Sequence, residues 1–456
     1  MKQPILLSIF CLIATMHVSA QTPIVTLRSH SFAKAPTVRP TFVDDPNIHL
    51  PDETSRVVDD GPVVVYLEWT GSGSVSVNGV AFWNKGHNTI PTTESDSVVL
   101  MATGYVQLKY LKCSNKSLTA LEITNCPELV RLDCDYSSLT VLDVTNCPKL
   151  EYLNCDFNPL TALDVTNCPM LRDLRCNVNA LHTLDVTNCT WLVDLSCFGN
   201  SLTNLDVTKC PVLTNLTCDR NSLTTLDVTK CPNLKELVCY NNSLSTLDVT
   251  NCTKLTHLDC TSNSLTVLDV TKCTNLMWMK CTANPLTALD VTNCSALMVL
   301  ECNNTSLTAL DVTKCTKLIR LECSNNSLTA LDVTKCPNLM RMNCSHNSLI
   351  ALDITNCPIL EELQALNQTL TLPEAKSNGT ELSIKNPITF NRAIVNIIRD
   401  FNHNGVYAGD SITWQVSGES GKVTFIFTAE LPKGITGYPF SGTVIQPWTR
   451  NEKHKE

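Results

Sequence analysis

The chain has 456 residues and a formal net charge of −9, with 43% apolar but only 5% aromatic residues. The acidic balance speaks against a nucleic-acid partner, which calls for a basic face. Few aromatics suggest a thin core of Leu, Val and Cys, and after the N-terminus no run approaches the roughly 18 apolar residues of a membrane-spanning helix.

Residues 1–20 read as a secretory signal peptide. Lys2 gives a positive start, Ile5 to Ala14 form a short apolar stretch, and Val18-Ser19-Ala20 is a small-residue cleavage site. The alternative is a buried N-terminal helix. Cys11 lies in this stretch without a lipoprotein signal before it, so no lipid anchor is expected. Residues 21–60 carry many Pro and Thr without a period and read as a linker. Residues 61–107 alternate in VVVYLEW, SVSVNGVAF and DSVVLMATGYVQL, which predicts a small N-terminal β cap.

From 108 to 366 the chain repeats. Cysteine recurs every 21 residues in two unbroken series, Cys113 to Cys344 and Cys126 to Cys357. A fixed period of this size marks a solenoid, which is one extended body however long it is. In the unit LVRLDCDYSSLTVLDVTNCPK (129–149), Leu132-Asp133-Cys134 alternate in, out, in, as in a half-buried strand. Stacked copies predict a parallel sheet along one side. Leu139 and Leu142 fill the interior, and Leu142-Asp143-Val144-Thr145 predicts a second short strand on the opposite side. No helical period appears. Asn stands three residues after most strand cysteines, as at Asn158 and Asn284. There it can bond backbone of the adjacent coil that would otherwise be buried unpaired. Ser137 and Thr305 are departures.

The pattern L-x-x-L-x-C, L-T-x-L-D-V-T, x-C-P resembles the leucine-rich repeat. Phrases such as CSNNSLTALDVTKCPNL (323–339) bring it closest to bacterial surface proteins of the internalin J type, with 21-residue units and a stacked cysteine. The resemblance implies a leucine-rich repeat solenoid, curved and mainly parallel β with few or no helices, flanked by small β domains. It also implies a secreted or surface-exposed, adhesin-like protein, without enzymatic activity, that recognises a host-derived protein or glycan. The second cysteine series departs from the single ladder expected of that type.

Of the 25 cysteines, all but Cys11 fall in the two ladders. An even count in an exported chain ordinarily implies disulfides. Geometry argues instead for free buried thiols. Stacked in-register side chains sit about 4.7–4.9 Å apart and point the same way, whereas a disulfide needs converging Cβ atoms near 3.8 Å. Pairing between the two series is the alternative; zinc-ligand spacing is absent. Asp143 and its successors to Asp353 form an acidic row. Each is expected to accept hydrogen bonds from Thr145-type hydroxyls or turn amides. The rival is a row of calcium sites, for which one carboxylate per coil supplies too few oxygens.

Interior positions hardly change from unit to unit, while outward strand positions change freely. Those outward positions include Tyr110, Arg131, Tyr152, His257 and Trp278, and one pleat further Arg175; beside them sit Tyr136, Phe157, Phe198 and Tyr240. Solenoid sheets of this kind usually form a concave binding surface, and aromatics mixed with Arg typify interfaces. These residues are therefore the candidate ligand-binding face, the alternative being a merely solvated sheet. The opposite face is monotonous.

Residues 367–456 read as a C-terminal β-rich domain with strands such as ELSIK, SITWQVSG and KVTFIFTAEL. Asp400, Asn402 and Asn404 resemble the start of a calcium loop. The Glu required at position twelve is replaced by Ser411, so an Asn-Gly hairpin turn accounts for the motif equally well. Asp96-Ser97-Val98 and Asp410-Ser411-Ile412 resemble O-glycosylation sites of Bacteroides-like bacteria. No phosphate loop, H-E-x-x-H or nucleophile elbow occurs, so no enzymatic activity and no cofactor are expected. The rival to adhesion is a structural role in the bacterial envelope, through the convex face or the C-terminal domain.

Overall fold

A computed structural model describes residues 107–451 except 114–117, 124–125, 379, 396–397, 400–401 and 403, together with the strands Thr22–Ser29, Val63–Thr70, Gly73–Val77, Val80–Phe82, Gly86–Ile90 and Ser97–Gly104. The expected signal segment lies outside these residues. So does the expected linker, apart from Thr22–Ser29, which is a strand.

The described residues form a β-solenoid without helices. Three-residue strands such as Arg131–Asp133, Tyr152–Asn154 and Asp173–Arg175 follow one another as far as Glu362–Gln364. They pair in parallel in strict 21-residue register, Tyr110 beside Arg131, Arg131 beside Tyr152, and Tyr152 beside Asp173. Each coil sends the same side chains inward. Leu129, Leu132, Cys134, Leu139, Leu142, Val144 and Cys147 are all buried, and their equivalents repeat in the coils that follow. One coil alone could not bury this set, so stability comes from stacking.

After the strand the backbone turns through a left-handed residue two places beyond the cysteine. Tyr136, Phe157, Val178, Gly199 and Arg220 all have φ between 48° and 66°, and the row continues to Asn367. Asn then locks the coils together. Asn158 Nδ2 donates to the carbonyls of Cys134, Cys155 and Asp156 at 3.0–3.1 Å, while its Oδ1 accepts from the Leu139 amide at 3.0 Å. Thr305 makes a smaller set, donating to the Cys302 carbonyl at 3.1 Å. In the last coil the role passes to Gln368, which donates to the Cys344 and Ala365 carbonyls and accepts from Leu349 N.

The second strand expected on the opposite side does not form through most of the array. The Leu142–Thr145 segment keeps only an isolated bridge, Asp143 to Asp164. The reason is local. The Val144 carbonyl accepts from Cys147 N and the Cys147 carbonyl accepts from Leu150 N, both at 3.0 Å, so two tight turns begin before a ladder can extend. Strands appear on this side where a flanking segment supplies a partner: Leu118–Glu122 beside Thr22–Ser29, and Ala351–Leu352 beside Thr389–Phe390. Each Asp of the acidic row caps its own turn. Asp143 Oδ1 accepts from the Thr145 hydroxyl at 2.6 Å and from its amide at 2.9 Å. These donors, the hydroxyl first, hold its carboxyl below the usual range.

Both ends of the long sheet are covered. Val63–Thr70 pairs antiparallel with Gln107–Lys112, and Thr436–Tyr438 adds in parallel to Glu362–Gln364. Gly437, at φ 111°, lies so close to the last coil that a Cβ would sit 2.2 Å from the Leu363 carbonyl oxygen. The C-terminal segment packs its own small sheets around Trp414, Phe425, Phe427 and Phe440. Its tight hairpin joins Val406–Ala408 to Ser411–Gln415 through Gly409 and Asp410, with Gly409 at φ 64°. The hairpin turn therefore lies at Gly409-Asp410 and not at Asn404-Gly405.

All 24 ladder cysteines are free and buried. The turn series donates Sγ–H to backbone carbonyls, Cys189 to Val165 and Cys168 at 3.7 Å. Burial pushes the Cys147 thiol up to about 11 and Cys168 to about 12. Such thiols are poor nucleophiles. Native protein treated with iodoacetamide is accordingly expected to take up almost no label, and protein unfolded without reductant is expected to take it up at every ladder position. Residues left unlabelled after unfolding would reveal disulfides. In a second test, Asn284→Ala orphans the amide of Leu265, which Asn284 Oδ1 now satisfies at 3.0 Å. We expect a loss of about 2–4 kcal/mol for the orphaned buried groups, read by hydrogen exchange as lost protection at Leu265 and its neighbours. Undiminished protection there would contradict the structural role of the asparagine row.

Candidate functional site

The outward face of the long sheet is built from positions around each strand cysteine. Tyr110, Arg131, Tyr152, His257 and Trp278 share the row three places before it, and Arg175 lies in the row one place before. The other four candidates divide. Tyr136 and Phe157 occupy the left-handed row, whereas Phe198 and Tyr240 sit one residue earlier, beside the strand end.

Stacking in register brings several of them together. The Arg131 guanidinium lies 3.7 Å from the centre of the Tyr152 ring and 5.3 Å from that of Tyr110. Arg175 stands over Tyr152 at 5.7 Å. The Tyr136 and Phe157 rings stack at 4.4 Å, nearly parallel. His257 meets Trp278 edge-on at 4.3 Å, and Trp278 remains 43% exposed. Phe198 makes no ring contact among the described residues. The face also includes side chains that strand alternation could not place there. Tyr66 arrives from the strand Val63–Thr70 with its ring 4.9 Å from Tyr110. Arg220 stands over Tyr240 at 5.6 Å.

Charges on this face are largely paired within it. Lys112 reaches Asp133, Arg175 holds Asp173 through two nitrogens at 3.1 Å, and Arg320 bridges Glu301 and Glu322. Carboxyls beside the strand ends are desolvated. Burial raises Asp156 to about 6 and Asp219 to about 7, although the Tyr240 hydroxyl, hydrogen-bonded to Asp219, acts in the opposite sense. The opposite face offers a groove of about 710 Å³ lined by Asp206, Asp227, Asp248 and their threonines, the same residues coil after coil. Of the calcium candidates, Asp400 lies outside the described residues. Asn402 Oδ1 accepts from the Thr424 amide at 2.5 Å, and Asn404 takes a left-handed turn. No group of three or more His, Cys, Asp or Glu side chains among the described residues is arranged to hold a metal ion.

This chain is similar to the functional domain of InlJ from Listeria monocytogenes, which includes a cysteine ladder. The two are 30% identical over 75% of this chain and 90% of that one, with a TM-score of 0.50. The chain belongs to the internalin J-like leucine-rich repeat family. An internalin (inlF) from Listeria monocytogenes str. 4b F2365 shares the fold at 20% identity and TM-score 0.50, over 57% of this chain and 81% of that one. So does the plant peptide hormone receptor RGFR1 in complex with RGF2, at 23% identity and TM-score 0.50, over 55% and 46%. The model of the LRR adjacent family matches residues 399–449, within the C-terminal sheets that follow the array. Comparison with curated proteins returns no match.

Asp219 supplies a test of this face. It is 2% exposed, and its carboxyl titrates near 7 when folded against about 3.9 when unfolded. The folded state thus holds the proton more tightly, and stability falls as pH rises from about 4 to 7. Asp219→Asn keeps an acceptor for Tyr240 without the charge. Relative to the parent, it is expected to gain on the order of 4 kcal/mol between pH 4 and pH 8. Melting curves that stay parallel across that range would contradict the buried carboxyl.

Proposed function

We propose that this leucine-rich repeat domain binds a protein partner through the outward face of its long sheet, in an exported, adhesin-like protein that performs no bond chemistry. The observation that carries this reading is the pair Tyr136 and Phe157. Both hold a left-handed backbone conformation, with φ of 48° and 54°. For a bulky residue this costs on the order of 1–3 kcal/mol, which the surrounding coil must offset. Equivalent positions in later coils hold residues as different as Val178, Arg220 and Asn304, so the conformation belongs to the coil, and what sets this pair apart is the aromatic side chains it presents. The rings are half-exposed and stack on each other rather than filling the core, so folding alone does not account for them. A rigid aromatic pair is a suitable anchor for a partner. A plant receptor of the same fold, solved in complex with RGF2, offers a parallel for use of the repeat domain in protein recognition. Host origin of the ligand belongs to the same proposal.

The mature chain would be tested against a panel of host matrix proteins and mucins, beside a Tyr152/Phe157/Trp278→Ala variant of unchanged melting profile. We expect saturable binding to at least one protein, weakened at least tenfold in the variant. Binding that the variant retains would move recognition to the opposite face or the C-terminal sheets, as an envelope-assembly role requires.

A further inference from the structure

Arg131 stands apart from the other cations in the two outward rows. Lys112, Arg175, Lys280, Arg320 and Arg341 each lie within 4 Å of a carboxylate. Arg131 has no carboxylate at ion-pair distance among the described residues. Its surroundings are already saturated. Asp133 is taken by Lys112 at 3.2 Å and by Asn154 at 3.0 Å, and Asp173 by Arg175. The Arg131 side chain is exposed, yet its guanidinium is fixed against the Tyr152 ring at 3.7 Å with Tyr110 on the other side. Two rings flank the guanidinium, and no carboxylate among the described residues engages its N–H groups. The planar fork of an arginine held in this way suits two-point docking of a carboxylate, with little side-chain freedom left to lose.

We propose that Arg131 is the anchor for an acidic segment of the protein partner, whose Asp or Glu carboxylate docks between Tyr110 and Tyr152. This rests on the reading of the sheet face as protein-binding and names the chemistry of what binds there. A sugar is the less suitable occupant. Sugars pack on open ring faces, and those of Tyr152 are shared by Arg131 and Arg175, while Tyr110 is flanked by Arg131 and Tyr66.

A random peptide library displayed on phage would be selected on the full chain, on Arg131→Gln and on Arg131→Lys. Hydrogen exchange would confirm that both variants keep the coil register. We expect Asp and Glu to be enriched at one position of the peptides selected on the parent, and that enrichment to vanish on Arg131→Gln. A selected peptide should bind Arg131→Lys at least fivefold more weakly, because an ammonium cannot present the two-point fork. Changing the acid of that peptide to its amide should cost at least tenfold. Three results would overturn the proposal. Peptides selected without acidic enrichment would leave the face protein-binding but remove the carboxylate anchor. Equal affinity for Arg131→Lys would reduce Arg131 to a point charge. Binding of hyaluronan with no peptide selected at all would overturn both this proposal and the protein-binding reading.

Discussion

An amide side chain in nearly every coil ties the solenoid together. A three-residue strand makes too few backbone bonds to hold a coil in place by itself, and a single coil leaves its core open on both sides. The asparagine after the strand solves both problems. It satisfies carbonyls of its own coil and of the one before, and it accepts the amide of the preceding coil's leucine, as Asn284 does with Cys281, Cys260 and Leu265. Those partners are in reach only if neighbouring coils are the same length. An inserted residue would leave a buried carbonyl and a buried amide unpaired at once, a cost of several kcal/mol by the usual penalties. The unbroken 21-residue period follows from that geometry. Gln368 extends the same bonding into a coil that has already lost its cysteine.

Fixing the backbone this tightly frees the outward side chains. Leu153 and Cys155 cannot change without opening the core, but Tyr152 beside Leu153 lies half-buried on the outward face and carries no packing duty for it. Stability and recognition therefore occupy separate rows of one sheet. The left-handed row lies at the boundary between them. Its backbone belongs to the coil, since Phe157 N donates to the Asn177 carbonyl at 2.8 Å, while its side chain belongs to the surface. Aromatic residues at this row are tolerated because the interior over-determines the turn. Rings held so rigidly lose little freedom when a partner docks.

The solenoid was legible in the sequence because its causes are local and repeated. Alternation at Leu132-Asp133-Cys134, the period and the asparagine are all visible within one unit. The second strand was not. Its alternating pattern at Leu142–Thr145 is real, but the turn around Cys147 begins too soon for a ladder. The left-handed row was also hidden, because Tyr136, Phe157 and Val178 are residue types that argue against such a conformation. Candidate residues were legible as outward positions but not as contacts. That Tyr66 stacks on Tyr110 depends on a cap strand folding back antiparallel. That Arg131 lacks the carboxylate its neighbours have depends on which acids the adjacent coils have already engaged.

Free thiols and proposed export pull in opposite directions, and the packing reconciles them. An oxidising compartment drives accessible cysteines into disulfides. Two features of the ladders oppose this. Stacked cysteines share one orientation at the spacing of adjacent strands, so a bond between neighbours would require the backbone to move. Burial also keeps the thiol protonated, with Cys281 well above its ordinary range, and the thiolate is the species that reacts. Cysteine here acts as a small hydrophobe that also donates a weak hydrogen bond. The turn position shows why serine would not serve. Cys147 is wholly buried within two successive turns, where a hydroxyl would need a full-strength partner. The second ladder, absent from a single-ladder design, is thus a consequence of the double turn that replaces the missing strand.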